Sequence, residues 1–350
     1  MTERLKWIDA LKGISIILVV YFHVILMGYN VPFESGIFNK TIFDRVNFFI
    51  AYNLVPLRMP LFFLISGFLA SKSVLVKSWG QTFHSKIGVN IYIIAIWLVI
   101  LNISFLLINE RSIDILTIAK LYNTIEREGI TRAVSLGRST LWYLYALVIF
   151  FTVTKIFRNK VLPLLALALL LNTVSLIEGW KYDLGHMSFC YLFFVGGVFW
   201  GKLIFRKIEA LRWRDNLFIF TVGIVILLIT KFTDLRYKTF ESIFSIYIVT
   251  LFVINLFSFG FKFRVLSYIG RNTLPIYIIH RPIIEFSAIF IVPWIISLPT
   301  VSGREHVVYS LFFPIILTLM CTFFALFIWK MTNKSIGKYL YSYETVKNQA

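Results

Sequence analysis

Apolar residues form long stretches near 10–29, 47–70, 88–109, 140–157, 161–177, 187–205, 217–231, 242–260, 272–298 and 307–329, separated by polar clusters. A helix crosses the hydrocarbon core of a bilayer with about 20 such residues, so the pattern predicts an all-α, polytopic membrane protein with about ten transmembrane helices. The Leu-rich 161–177 run is short. The 272–298 run is long and interrupted by Pro282 and Pro293, which makes it one kinked helix or two segments. The first run carries His23, and no small-residue cleavage pattern follows at Met27-Gly28-Tyr29-Asn30, so it reads as a retained span rather than a signal peptide. No repeat, low-complexity tract or Gly/Ser linker divides the chain, and the expectation is a single transmembrane domain over 1–350.

Composition sharpens this picture. Of 350 residues, 59% are hydrophobic and 15% charged, a balance that excludes a soluble enzyme. Cys190 and Cys321 lie inside apolar runs, too few for a disulfide framework or a four-cysteine zinc site. His84, His186 and His306 sit near loop boundaries without metal-ligand spacing, so no metal is expected. A net charge of +18 would suggest nucleic acid as the partner of a soluble protein; in a polytopic chain it is a topology signal instead. With the N-terminus inside, 21 Lys and Arg fall on the cytoplasmic side and 13 outside, with Arg58 in mid-span. Both termini are therefore expected in the cytoplasm and the 110–139 connection outside, with the bilayer as partner and no nucleic acid.

Ionisable groups within spans are expensive and mark candidate chemistry. The first helix carries Trp7-Ile8-Asp9-Ala10-Leu11-Lys12-Gly13 and then His23. Eleven helical residues turn through about 1100°, which puts Lys12 and His23 within about 20° of one face and about 16 Å apart along the axis. Two readings fit equally: a snorkelling lysine with a structural histidine, or a histidine base in a tunnel with a cation at its cytoplasmic mouth. The second helix holds Arg58 in Arg58-Met59-Pro60-Leu61-Phe62-Phe63-Leu64-Ile65-Ser66-Gly67-Phe68, where it is a partner for proline-freed carbonyls or for an anionic substrate group. Ser66-Gly67 reads as a close-packing site rather than a nucleophile. Near the other end, Gly270-Arg271-Asn272-Thr273-Leu274-Pro275-Ile276-Tyr277-Ile278-Ile279-His280 places a second histidine in a span. Arg281 and Glu285, four residues apart, suit an intrahelical ion pair. Trp142 opens the fourth span, where an aromatic interface anchor is the default.

These blocks, together with Leu141-Trp142-Tyr143-Leu144, resemble in order and over almost the whole chain the membrane acyltransferase 3 family, and within it the fucose 4-O-acetylase-like branch of sugar O-acetyltransferases. The resemblance implies transfer of an acyl group, acetyl in that branch, from cytoplasmic acyl-CoA to a hydroxyl of an exported or lipid-linked glycan, at the bacterial inner membrane. It assigns to His23 the role essential for transfer, with Asp9 and His280 as further catalytic candidates. It also makes Lys12, usually Arg in the wider family, a contact to acetyl-CoA. Lys86 lies where the family often carries basic pairs, while Arg58 and Trp142 are candidates for contacting substrate.

The chemistry agrees with that assignment. A thioester is already activated, so the protein must hold a sugar hydroxyl against the carbonyl and accept its proton. An imidazole, with an unperturbed pKa near 6.5, does this at cytoplasmic pH. The competing reading is a glycan transporter or flippase, which also has about ten helices and intramembrane charges; the paired, broken helices of inverted repeats are not found here.

Overall fold

The computed structural model describes residues 6–30, 41–110, 141–178, 183–232, 238–261, 263–292, 294 and 304–342. Within them the regular structure is helical, as the apolar runs predict. The connection expected outside, save residue 110, falls beyond the described residues, as do 293 and 295–298 of the ninth run.

Helix α1 spans Lys6–His23 and continues as a π-helical turn over Val24–Tyr29. Next come α2 (Ile42–Asn53), α3 (Val55–Leu75) and, after a short π-helical stretch at Phe83–Ile87, α4 (Gly88–Glu110). The fourth and fifth runs form α5 (Leu141–Ile156) and α6 (Val161–Glu178). They are followed by α7 (Asp183–Ala210), α8 (Trp213–Phe232), α9 (Lys238–Ser258), α10 (Arg264–Arg271) and α11 (Thr273–Phe286). Another π-helical turn, Ser287–Ile291, extends α11; α12 (Arg304–Thr332) and a 3-10 turn at Ser335–Leu340 complete the described chain.

Among the described residues, seven segments are long and apolar enough to cross a membrane: Trp7–Tyr29, Ile42–Leu75, Trp79–Ser104, Gly185–Ala210, Lys238–Ser258, Thr273–Ile291 and Val307–Thr332. Leu141–Ile156 and Val161–Ile177 are apolar but shorter. The chain is a polytopic membrane protein. Pro56 occupies the first turn of α3, where its missing N–H leaves no bond unmade. Pro282 lies inside α11, yet the chain stays helical through it to Phe286, so this run is one interrupted helix as far as it is described.

The helices form two compact units. The first comprises residues up to Ile16, Leu54–Thr82 and Phe150–Arg271; the second comprises Ile17–Asn53, Phe83–Ile149 and the chain from Asn272 onward.

In the first unit, glycines set the helix spacing. A Cβ on Gly67 of α3 would overlap the Phe194 carbonyl of α7, and one on Gly197 would overlap the Leu64 carbonyl of α3. Gly201, one turn further along α7, lies against the Phe68 ring. This is small-residue contact between membrane helices, where dispersion and backbone approach replace the hydrophobic effect, and it is the packing role expected of Ser66-Gly67. Ser66 itself donates to the Phe62 carbonyl one turn back, at 2.7 Å. The same device joins α1 to α10: Gly13 faces the Leu266 carbonyl, and Gly270 faces that of Asp9.

The C-terminal end of α3 is held by a buried cation. Lys155 of α5, 1% exposed, donates to the carbonyls of Ser73 (3.0 Å), Val74 (3.2 Å) and Lys77 (2.8 Å). The Thr82 hydroxyl also donates to Ser73 O, at 2.7 Å. Carbonyls in the last turn of a helix have no intrahelical partner, and the C-terminus carries partial negative charge, so an ammonium there meets both needs.

In the second unit, α2 is fastened to the end of α1 and to α12. Asp44, fully buried, accepts from the Tyr29 hydroxyl and from the Thr41 amide and hydroxyl, both at 2.6 Å. Asn47 accepts from Tyr21 OH at 2.9 Å and donates to the Ser310 carbonyl at 2.6 Å. Beside these bonds Ile25, Tyr29, Ala51 and Tyr309 form a buried cluster.

Lys155→Met is expected to lower the stability of the purified protein by about 2 kcal/mol, since three carbonyls lose a charged donor. Lys155→Arg should retain most of it. Thermal unfolding in detergent reads this out; equal midpoints for wild type and Lys155→Met would show that the cap contributes nothing.

Candidate active site

α1 is unbroken from Lys6 to His23, so Lys12 and His23 stand in regular helical register. His23 is the last residue before the π-helical turn, and its ring Nδ1 lies 2.9 Å from the Val19 carbonyl. On α11, His280 Nδ1 lies 3.1 Å from the Ile276 carbonyl. The two histidines, 257 positions apart in sequence, meet: His280 Nε2 is 3.4 Å from His23 Nδ1, with ring centroids 5.0 Å apart at 60°.

The carbonyls assign the protons. A carbonyl only accepts, so the nitrogen bonded to it carries the hydrogen. His280 therefore holds its proton on Nδ1, directed at Ile276 O, and turns the lone pair of Nε2 toward His23. His23 likewise carries its proton on Nδ1, shared between Val19 O and His280 Nε2, which leaves the basic lone pair on His23 Nε2. The pair is thus polarised from the Ile276 carbonyl through His280 to His23. When His23 takes up a second proton, the positive charge faces an acceptor already in place.

Burial divides the two roles. His280 is buried, at 1% exposure, whereas His23 is half-buried. A base must reach a reactant, and the group that orients it must not. The His280 ring is supported by Tyr277, one turn earlier, at a centroid distance of 6.2 Å. The Tyr277 hydroxyl accepts from the Tyr143 backbone N–H at 3.0 Å, so the Trp142-Tyr143 motif at the start of α5 is tied to the helix that bears His280. Arg281 Nε donates to Glu285 at 3.1 Å, the intrahelical pair expected from spacing.

The remaining candidates divide between the units. Asp9 and Arg58, both 7% exposed, and half-buried Lys12 belong to the first. Lys86, half-buried in the π-helical stretch before α4, and Trp142, half-buried at the start of α5, belong to the second with the histidines. No group of three or more potential metal-ligating side chains occurs among the described residues.

A family model described as an acyltransferase domain matches residues 5–332. The chain belongs to the membrane acyltransferase 3 family. This acyltransferase is also 23% identical over 349 residues to the inner membrane protein YcfT of Escherichia coli (strain K12), covering 98% of this chain and 97% of that one. No solved structure matches the acyltransferase.

Two features escaped sequence reading. One is Lys155: an apolar run ending in Lys155-Ile156-Phe157-Arg158 does not say which basic residue turns inward. Asp44, at the edge of an apolar run, carried a signal: a carboxylate entering a span needs donors, and Thr41 stands three residues before it.

In ¹⁵N spectra of the histidine-labelled acyltransferase above pH 7, Nδ1 of both rings is expected to be protonated and Nε2 unprotonated. A His23 signal showing the proton on Nε2 would refute the polarised pair.

Proposed function

We propose that this acyltransferase is a bacterial inner-membrane O-acyltransferase that moves an acetyl group from cytoplasmic acetyl-CoA to a hydroxyl of an exported or lipid-linked glycan. The observation that carries this reading is the His23–His280 pair, a reachable imidazole whose protonated state is oriented by a second, buried one. The family membership supports acyl transfer, and the relative's printed description as an inner membrane protein supports the location.

In the proposed reaction, His23 Nε2 accepts the proton of the sugar hydroxyl as its oxygen bonds to the thioester carbonyl carbon. The tetrahedral adduct collapses, the C–S bond breaks, and the proton on His23 passes to the departing sulfur, giving an ester and free thiol. His23 returns to its starting tautomer, and no oxidant or reductant is consumed. His280 remains hydrogen-bonded to His23 Nδ1 throughout and limits its rotation. Lys12, on the same helix and toward its expected cytoplasmic end, supplies a cation for the phosphates of CoA, as does Lys86. Arg58 and Trp142 are the proposed substrate contacts, and Asp9, in the first turn of α1, is a further proposed catalytic residue.

His23→Ala is expected to lower acetyl transfer by roughly 10²-fold or more while leaving membrane insertion and thermal stability intact. His280→Gln, which keeps an acceptor, should retain more activity than His280→Leu, with the deficit in kcat rather than in KM for acetyl-CoA. An active His23→Ala would remove His23 as the base.

With both termini cytoplasmic, a cysteine placed at Ser335 is expected to react with a membrane-impermeant maleimide only after the cells are opened. Labelling in intact cells would invert the proposed orientation of the tail.

A further inference from the structure

The second unit carries an open groove of about 400 Å³, lined by half-buried Asn30 and Phe48 and by exposed Arg45, Phe49, Tyr52 and Asn53, to which neither the motifs nor the proposed reaction assigns a role. Five of these residues fall on one face of α2 with helical spacing. The neighbouring face carries Asp44, Asn47 and Ala51, the residues that fasten α2 to Tyr29, Tyr21, Ser310 and Tyr309. The groove wall is therefore built on a helix whose other side is fixed, and one of its rings, Phe48, packs on Tyr29 at 5.9 Å. One ring links the lining to the proposed base: Phe22 is edge-on both to His23, at 5.5 Å, and to Tyr52, at 6.2 Å.

The lining is chemically mixed in an informative way. Three aromatic rings offer faces with negative electrostatic potential, which suit the polarised C–H groups on the face of a pyranose. Two carboxamides both donate to and accept from hydroxyls, and the Arg45 guanidinium matches a carboxylate with two parallel donors. A surface meant for acyl chains would not carry one arginine and two asparagines among its rings.

We propose that this groove is the acceptor subsite and that it takes an acidic sugar residue of the glycan, stacked on Tyr52 and Phe49 with its carboxylate on Arg45. This rests on the acyltransferase reading above and adds to it the class of sugar.

The test is saturation-transfer NMR on the full-length protein in phosphatidylcholine nanodiscs, with trigalacturonate as the acidic probe and maltotriose as the neutral one. Trigalacturonate is expected to bind, and more tightly than maltotriose. Its Kd should rise about tenfold in Tyr52→Ala and in Arg45→Gln. Tyr52→Phe and Arg45→Lys, which keep ring and charge, should lose less, and Val46→Ala, on an exposed position of α2 outside the lining, should bind like wild type. Binding should persist in His23→Ala, so a failure of the base assignment and a failure of the subsite are distinguishable. Absence of trigalacturonate binding, equal binding by wild type and Arg45→Gln, or saturation only of phosphatidylglycerol headgroups when these are added would overturn the proposal, the last by reassigning the groove to lipid.

Discussion

Hydrocarbon offers no hydrogen bonds, and much of the described architecture answers that constraint. Serines and threonines inside helices donate to the carbonyl one turn back, as Ser66, Ser287, Thr318 and Thr322 do. Arg281 meets Glu285 on its own helix. Lys155 is satisfied by two carbonyls of the last turn of α3 and by that of Lys77 just beyond it, and Asp44 by donors from its own N-terminal turn and from Tyr29. The serine, threonine and Arg281 bonds stay within one helix, whereas Lys155 and Asp44 act as fasteners between otherwise apolar cylinders.

The histidine pair follows the same rule. Both Nδ1 atoms satisfy themselves on helix carbonyls, the bond any histidine in a dry span seeks. That bond sets the tautomer, and the tautomer decides which nitrogen is basic. The second interaction, between the rings, then directs the His280 Nε2 lone pair at His23, the geometry on which the proposed division into an orienting and a reactive histidine rests.

Close glycine contacts account for why the sequence blocks have their particular form. Gly13 ends the first block and Gly270 opens the last; each lies against a carbonyl, of Leu266 and of Asp9, where no side chain fits. The Asp9 segment is thus held at backbone distance from α10. Gly67 does the same for the block that carries Arg58.

Much of this was legible in the chain itself. Period and length of apolar runs determine that the protein is helical and polytopic, because backbone in a bilayer has few alternatives and the signal is local. The Arg281–Glu285 pair was legible for the same reason, since four residues along a helix is a short-range relation. The ordered motifs led to the family and singled out His23 and His280 separately. Their meeting was not legible: contact between residues 257 positions apart depends on how α1 and α11 pack, and no local pattern encodes that. Burial was likewise decided in three dimensions, because it depends on which helices pack together: that packing enclosed His280, left His23 half-buried and made Lys155 a cap on the end of α3.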